Sequence, residues 1–104
     1  MIKVSVFYPS GEGKTFDMDY YCNKHIPFVQ QLIGDTCKKA EVEQGLSGMA
    51  PGYQPVYLAI GHLLFDSVGD FTAAFTYHGQ AIVADVPNFT NSQPVLQVNQ
   101  VKMR

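Results

Sequence analysis

Three histidines, His25, His62 and His78, offer side chains that titrate near neutral pH and can give or take a proton. His25 falls on an apolar stripe, Met18, Cys22, His25, Val29 and Leu32, whose spacings of four, three, four and three predict one face of a helix over about residues 17–33. An imidazole on that stripe points toward whatever the helix packs against. Pro27 removes a backbone donor and crowds the carbonyl of Asn23, so a kink is expected near residues 23–26. The freed carbonyl leaves two readings of His25: an acid or base beside an irregular turn, or a core histidine hydrogen-bonded to that carbonyl. His78 takes the equivalent place on a second stripe, Val68, Phe71, Phe75 and His78. It reads either as a catalytic partner of His25 or as a charge capping a helix C-terminus, where the dipole favours the protonated ring by about 0.3–1 kcal/mol.

Two imidazoles directed into one cleft would place an acid and a base around a small carbonyl or hydroxyl compound, chemistry suited to elimination or enolisation. Val29, Phe71 and Phe75 are expected in the core, where they would also wall an apolar substrate pocket. Asp85 has no opposite charge nearby in sequence and reads as a solvated residue or as the partner that orients a histidine. His62, on a strand, faces either the cleft or the opposite side of the sheet. Cys22, on the inward stripe, is expected to be a small buried hydrophobe rather than an activated thiol.

Other chemistries lack their patterns. No two histidines stand four apart and no HExxH or clustered Cys/His run occurs, so no metal site is expected. Gly11-Glu12-Gly13-Lys14 follows a strand and precedes a helix, but lacks the spacing of a phosphate loop or a dinucleotide fingerprint. No tightly held cofactor is expected. The seven Lys and Arg residues are scattered in a chain of net charge -2, which argues against nucleic acid. Two cysteines cannot build a disulfide framework. The start reads as a strand rather than a signal peptide, and no apolar run approaches membrane-spanning length. These features point to a cytoplasmic protein.

The elements that must position the histidines follow from periodicity. Ile2, Val4, Val6 and Tyr8 alternate as strand one. The first helix ends at Gly34 and Asp35. Residues 36–44 form an exposed strand with Lys39, Glu41 and Glu43 on one face, and 45–55, with three Gly and two Pro, a loop. Residues 56–65 form a strand apolar at both parities apart from His62. Ser67 and Asp70 make a capping box for a helix that Gly79 is placed to end, with a short helical piece continuing to Pro87. Residues 95–101 are the last strand.

One domain over residues 1–104 therefore runs strand, helix, strand, strand, helix, strand. The expected fold is α+β: a ferredoxin-like βαββαβ unit, a four-stranded antiparallel sheet with both helices on one face. A strand apolar on both sides needs cover on both. With only 15% charged residues, a homodimer formed by a second sheet packed on the open face, a dimeric α/β barrel, is the simplest cover.

Two stretches carry a family likeness. One is Tyr20-Tyr21-Cys22-Asn23-Lys24-His25-Ile26-Pro27, a Tyr-Tyr-x-x-x-His-x-Pro pattern. The other runs from Gly61-His62 through Tyr77-His78-Gly79 to Asp85-Val86-Pro87-Asn88-Phe89, with Pro94 beyond. Together they resemble the EthD family, named for ethyl tert-butyl ether degradation, within the dimeric α/β barrel superfamily. The resemblance implies a small-molecule ligand, a role beside an oxygenase system, and an oxidoreductase-class label. Related barrels catalyse dehydrations, lactone isomerisations, cofactor-free oxygenations and haem peroxidations, so a cofactor-independent lyase or isomerase and a non-catalytic binding or accessory module stand beside it.

Overall fold

The computed structural model describes every residue from Met1 to Arg104. Strand β1 (Ile2–Pro9) leads through a short loop to helix α1 (Met18–Tyr20), a π-helical turn (Tyr21–His25) and helix α2 (Ile26–Ile33). Strands β2 (Lys39–Gln44) and β3 (Tyr57–Phe65) follow, then helix α3 (Val68–Ala84) and strand β4 (Val95–Gln100). The sheet order is β2-β3-β1-β4 and every neighbouring pair is antiparallel. This is the α+β, ferredoxin-like arrangement expected from the sequence.

Register sorts the side chains onto two faces. Val4, Val6 and Tyr8 stand opposite Leu63, Gly61 and Ala59 of β3. They share the face covered by the helices, where Val4, Val29, Leu63, Phe65 and Ile82 form the core. Ser5 pairs with His62 and Phe7 with Ile60, and both pairs look out from the other face. His62 therefore lies on the side away from the helices, which settles the orientation that parity left open.

The irregular turn predicted at Pro27 is a π-turn. Ile26 donates its amide to the Tyr21 carbonyl, five residues back, and Pro27, which has no amide hydrogen to donate, follows directly on the widened turn. The widened turn takes in one extra residue and shifts the phase of the buried stripe. The inward positions are Tyr21, His25, Ile26, Val29 and Ile33, whereas Cys22 is exposed, contrary to its expected burial. Upstream, Asp17 accepts from the Tyr20 amide as the N-cap. Downstream, Gly34 adopts a φ of 72°, a positive value that favours glycine, and ends α2.

Helix α3 also differs from expectation. Ser67 accepts from the Asp70 amide as foreseen, but the helix runs through Gly79 to Ala84. Gly79 is a packing residue rather than a terminator: a Cβ there would come within 2.8 Å of the Phe75 ring. The extra turn carries Ile82 into the core and brings Asp85 to the helix end, beside the π-turn. Residues 86–94 are then tied to the β1–α1 loop. Thr90 donates to the Thr15 carbonyl, Ser92 to that of Pro9, and the Asn91 side chain spans Thr15 and Gly13.

No helix is long and apolar enough to cross a membrane.

Candidate functional site

The π-turn and the end of α3 build the site between them. Tyr21 and His25 are stacked one turn apart, with ring centroids 5.4 Å apart and planes at 15°. Phe89 lies 4.6 Å from the imidazole and 5.0 Å from the Tyr21 ring, so the three rings form one cluster. The imidazole is packed against both aromatic side chains, and His25 is only 3% exposed. Its Nδ1 lies 2.8 Å from Asp85 Oδ2. The other carboxylate oxygen accepts from the Tyr20 hydroxyl at 2.7 Å and from Asn88 Nδ2 at 2.8 Å. Asp85 is therefore fixed by three donors and is a histidine-orienting group rather than a solvated end.

Electrostatics define the state of this pair. Burial lowers the His25 pKa below its ordinary value, and the hydrogen bond and charge of Asp85 only partly oppose this. Burial alone would lift the Asp85 carboxyl, but hydrogen bonds from Asn88, His25 and Tyr20 outweigh it and hold the carboxyl below its usual range. At neutral pH the pair is a neutral imidazole beside a carboxylate. A carboxylate only accepts, so Nδ1 carries the proton and Nε2 carries the lone pair. Nε2 has no hydrogen-bond partner in the chain, while no fully buried side-chain nitrogen or oxygen is left unpaired. It must therefore be open to a space, and that space is a cavity.

The cavity measures about 680 Å³ and lies between the sheet, α2, α3 and the 86–94 segment. His25 lines it together with Val4, Val6 and Leu63 from the sheet and Val29 and Phe75 from the helices. Its wall is apolar, with hydroxyl and amide groups from Thr90, Asn91 and Ser92 at one side. A neutral base in such surroundings can remove a proton from a bound apolar molecule and return it, with Asp85 stabilising the imidazolium in between.

The residues singled out from sequence separate here. Val29 and Phe75 line the cavity with His25, and Asp85 stands behind the imidazole, reached from outside through a shallow dip beside Tyr20 and Lys24. Phe71 packs against Phe65 and Phe75 and does not reach the cavity. His78 does not reach it either: the half-buried ring lies beside Tyr77, with no hydrogen bond to His25 or Asp85. The structure does not bring the two imidazoles together, because α3 continues past Gly79 and places Ile82, Val83 and Val86 over the cavity. Tyr8 and Tyr21 line the cavity, although the sequence marks them only as strand and motif residues. The four-residue spacing of Tyr21 and His25 on a helix is the signal that could have found the second of them. No cluster of three or more His, Cys, Asp or Glu side chains is present to hold a metal ion.

The EthD domain profile matches residues 10–93. An EthD-like protein from Ralstonia eutropha is 43% identical, with 98% of this chain and 92% of that chain covered and a TM-score of 0.93. An ethyl tert-butyl ether degradation family protein from Bacillus halodurans shares the fold at 19% identity, covering 98% and 99% of the two chains with a TM-score of 0.73. A dimeric ferredoxin-like protein of unknown function from Thermobifida fusca does so at 14% identity, covering 96% and 90%, with a TM-score of 0.59. No curated protein matches the chain. With most of its length inside the domain profile and a relative this similar, the chain belongs to the EthD family.

Proposed function

We propose that the protein is an acid–base catalyst acting on a small, mostly apolar organic compound held beside His25, in a degradative or secondary-metabolite pathway. The observation that carries this reading is the unpaired Nε2 of a carboxylate-oriented, neutral imidazole facing an apolar cavity of about 680 Å³. Nε2 takes a proton from an acidified carbon or a hydroxyl, and Asp85 offsets the charge that appears on the ring. The same proton then returns to a neighbouring atom of the substrate, so no oxidant or cofactor enters the balance. Val29 and Phe75 supply contact area that orients the compound, and Asp85 is a positioning residue.

A surrogate ketone tests the base without the natural substrate. Deuterium exchange into 2-tetralone in heavy water, followed by proton NMR, reads enolisation directly. The wild type should accelerate it, and His25→Ala should remove the acceleration while leaving the fold intact. Equal exchange with and without His25 would leave a non-catalytic ligand-binding or accessory module, such as one serving an oxygenase system.

The working form we propose is a homodimer joined through the open sheet face. Phe7, Tyr57 and Ile60 on that face are only half-covered in the single chain. Light scattering at micromolar concentration should give twice the monomer mass, and a monomeric mass would reject the dimer.

A further inference from the structure

The cavity contains a second polar feature besides His25. Tyr8, from the middle row of the sheet, and Tyr21, from the π-turn, both line it. Their rings meet edge to face with centroids 5.5 Å apart. Neither hydroxyl has a hydrogen-bond partner in the chain, and no fully buried side-chain oxygen is left unpaired, so each proton is free to be donated into the cavity. Neither ring can turn away. Tyr8 is also held edge to face by Phe16 and Phe89, and Tyr21 lies flat on His25.

The sheet has been thinned to admit this pair. Gly61 is the one glycine on the helix-facing side of β3, where Ala59, Leu63 and Phe65 otherwise stand. A Cβ at Gly61 would collide with the Tyr21 hydroxyl. A glycine inside a strand gives up packing and backbone order, and here it makes the space the hydroxyl occupies. Burial pushes the Tyr8 hydroxyl up to about 12 and raises that of Tyr21 as well, so both keep their protons at neutral pH.

We propose that the Tyr8–Tyr21 pair, seated over Gly61, is an oxygen-recognition site that donates a hydrogen bond to a carbonyl or phenolic oxygen of the ligand. The assignment deepens the acid–base reading and rests on it for its catalytic consequence. The His25 imidazole stacks on the Tyr21 ring, so one rigid unit presents a proton donor and the Nε2 lone pair to the same ligand. Donation to the oxygen stabilises negative charge that develops there when His25 removes a neighbouring proton. The substrate class this selects is a compact ketone or phenol with an otherwise apolar frame. An alkane or a simple ether offers no oxygen able to take up such charge.

Equilibrium binding of 4-nitrophenol and nitrobenzene, ligands differing by one hydroxyl, tests the pair without any turnover. The wild type should prefer 4-nitrophenol. Tyr8→Phe and Tyr21→Phe keep both rings and should each weaken 4-nitrophenol by about 10- to 100-fold, while nitrobenzene affinity stays within about twofold. Gly61→Ala, which displaces the Tyr21 hydroxyl, should erase the preference too. Retained nitrobenzene binding serves as the check that each variant still folds around its cavity. Unchanged 4-nitrophenol affinity in both phenylalanine variants would overturn the assignment, as would a wild type with no preference. In either case 2-tetralone exchange dependent on His25 would still stand, so the failure of the tyrosine site is separable from that of the base.

Discussion

Two histidine–carboxylate pairs sit on opposite faces of one sheet, and they differ in what is left over. On the helix side, His25 Nδ1 is 2.8 Å from Asp85 while Nε2 faces a cavity. On the open side, His62 Nε2 is 2.7 Å from Glu43 and Nδ1 is 2.8 Å from the Ser5 hydroxyl. Asn99 donates to Ser5 in turn, so the outer row runs Glu43, His62, Ser5, Asn99 with every ring nitrogen engaged. The pairs have nearly equal hydrogen-bond lengths. Reactivity depends on the free nitrogen, on burial and on adjoining space, and only the inner pair combines them. A Ser–His–carboxylate row is by itself no evidence of a nucleophile: Ser5 is 2% exposed and its oxygen already has two partners.

The largest effect that could break this comparison is on turnover. His25→Ala and Asp85→Asn should each lower 2-tetralone exchange by about 10²–10⁴-fold, the range for losing a general base or the group that fixes its tautomer. His62→Gln should change the rate by less than about threefold. A comparable loss at His62 would mean that the outer row takes part in chemistry, and the contrast drawn from Nε2 would fail.

Next in size is stability. Leu63 and Ile60 lie on the same strand at opposite parities. Leu63 is buried under the helices, and Leu63→Ala should cost about 2–5 kcal/mol in urea unfolding at any protein concentration. Ile60 is half-buried on the open face, and Ile60→Ala should cost less in dilute protein. A homodimer adds a concentration-dependent part to the Ile60 loss, read as a melting temperature that diverges from wild type as protein concentration rises.

The two inner groups also predict the acid limb of stability. The His25 pKa is lowered in the folded protein, so from its ordinary value of 6.5 downward the unfolded chain binds the proton more readily. Stability is complete above 6.5 and falls as pH drops toward the folded-state value. Asp85 is also lowered, and its contribution, complete above 3.8, is lost as acidification proceeds through its folded-state value. Both act in the same direction over separate windows. His25→Gln should flatten the upper one and Asp85→Asn the lower, as read from urea midpoints across pH.

The legible and illegible parts of the molecule divide along a physical line. Alternation in β1 placed Val4, Val6 and Tyr8 on one face, and the order of elements gave the ferredoxin-like sheet, because period two and short connections leave few arrangements. Pro27 announced an irregular turn beside His25. What the turn would do to the stripe was not readable: an inserted residue moved Cys22 outward and Tyr21 inward, and a fixed helical period cannot show that. Gly79 was ambiguous in the same way. Glycine ends helices and also admits close packing, and only the approach of Phe75 decides between these. Asp85 meets His25 across 60 positions of sequence, a contact that depends on the true length of α3.

The smallest predicted effect is the most informative about assembly. Glu43→Gln replaces the carboxylate beside His62 by an amide that can still accept. In the single chain the Glu43 side chain is 55% exposed, so water screens the interaction and replaces what is lost, and the cost should stay below about 1 kcal/mol. A second sheet packed on this face would change the sign of that argument. It would remove the water, leave His62 and Ser5 dependent on their row partners, and make the same substitution costly. Glu43→Gln should then barely move the urea midpoint of dilute protein and should weaken dimerisation measured by sedimentation. If neither quantity moves, Glu43 stays in water in the assembled protein, and the outer row lies beyond the edge of any interface on that face.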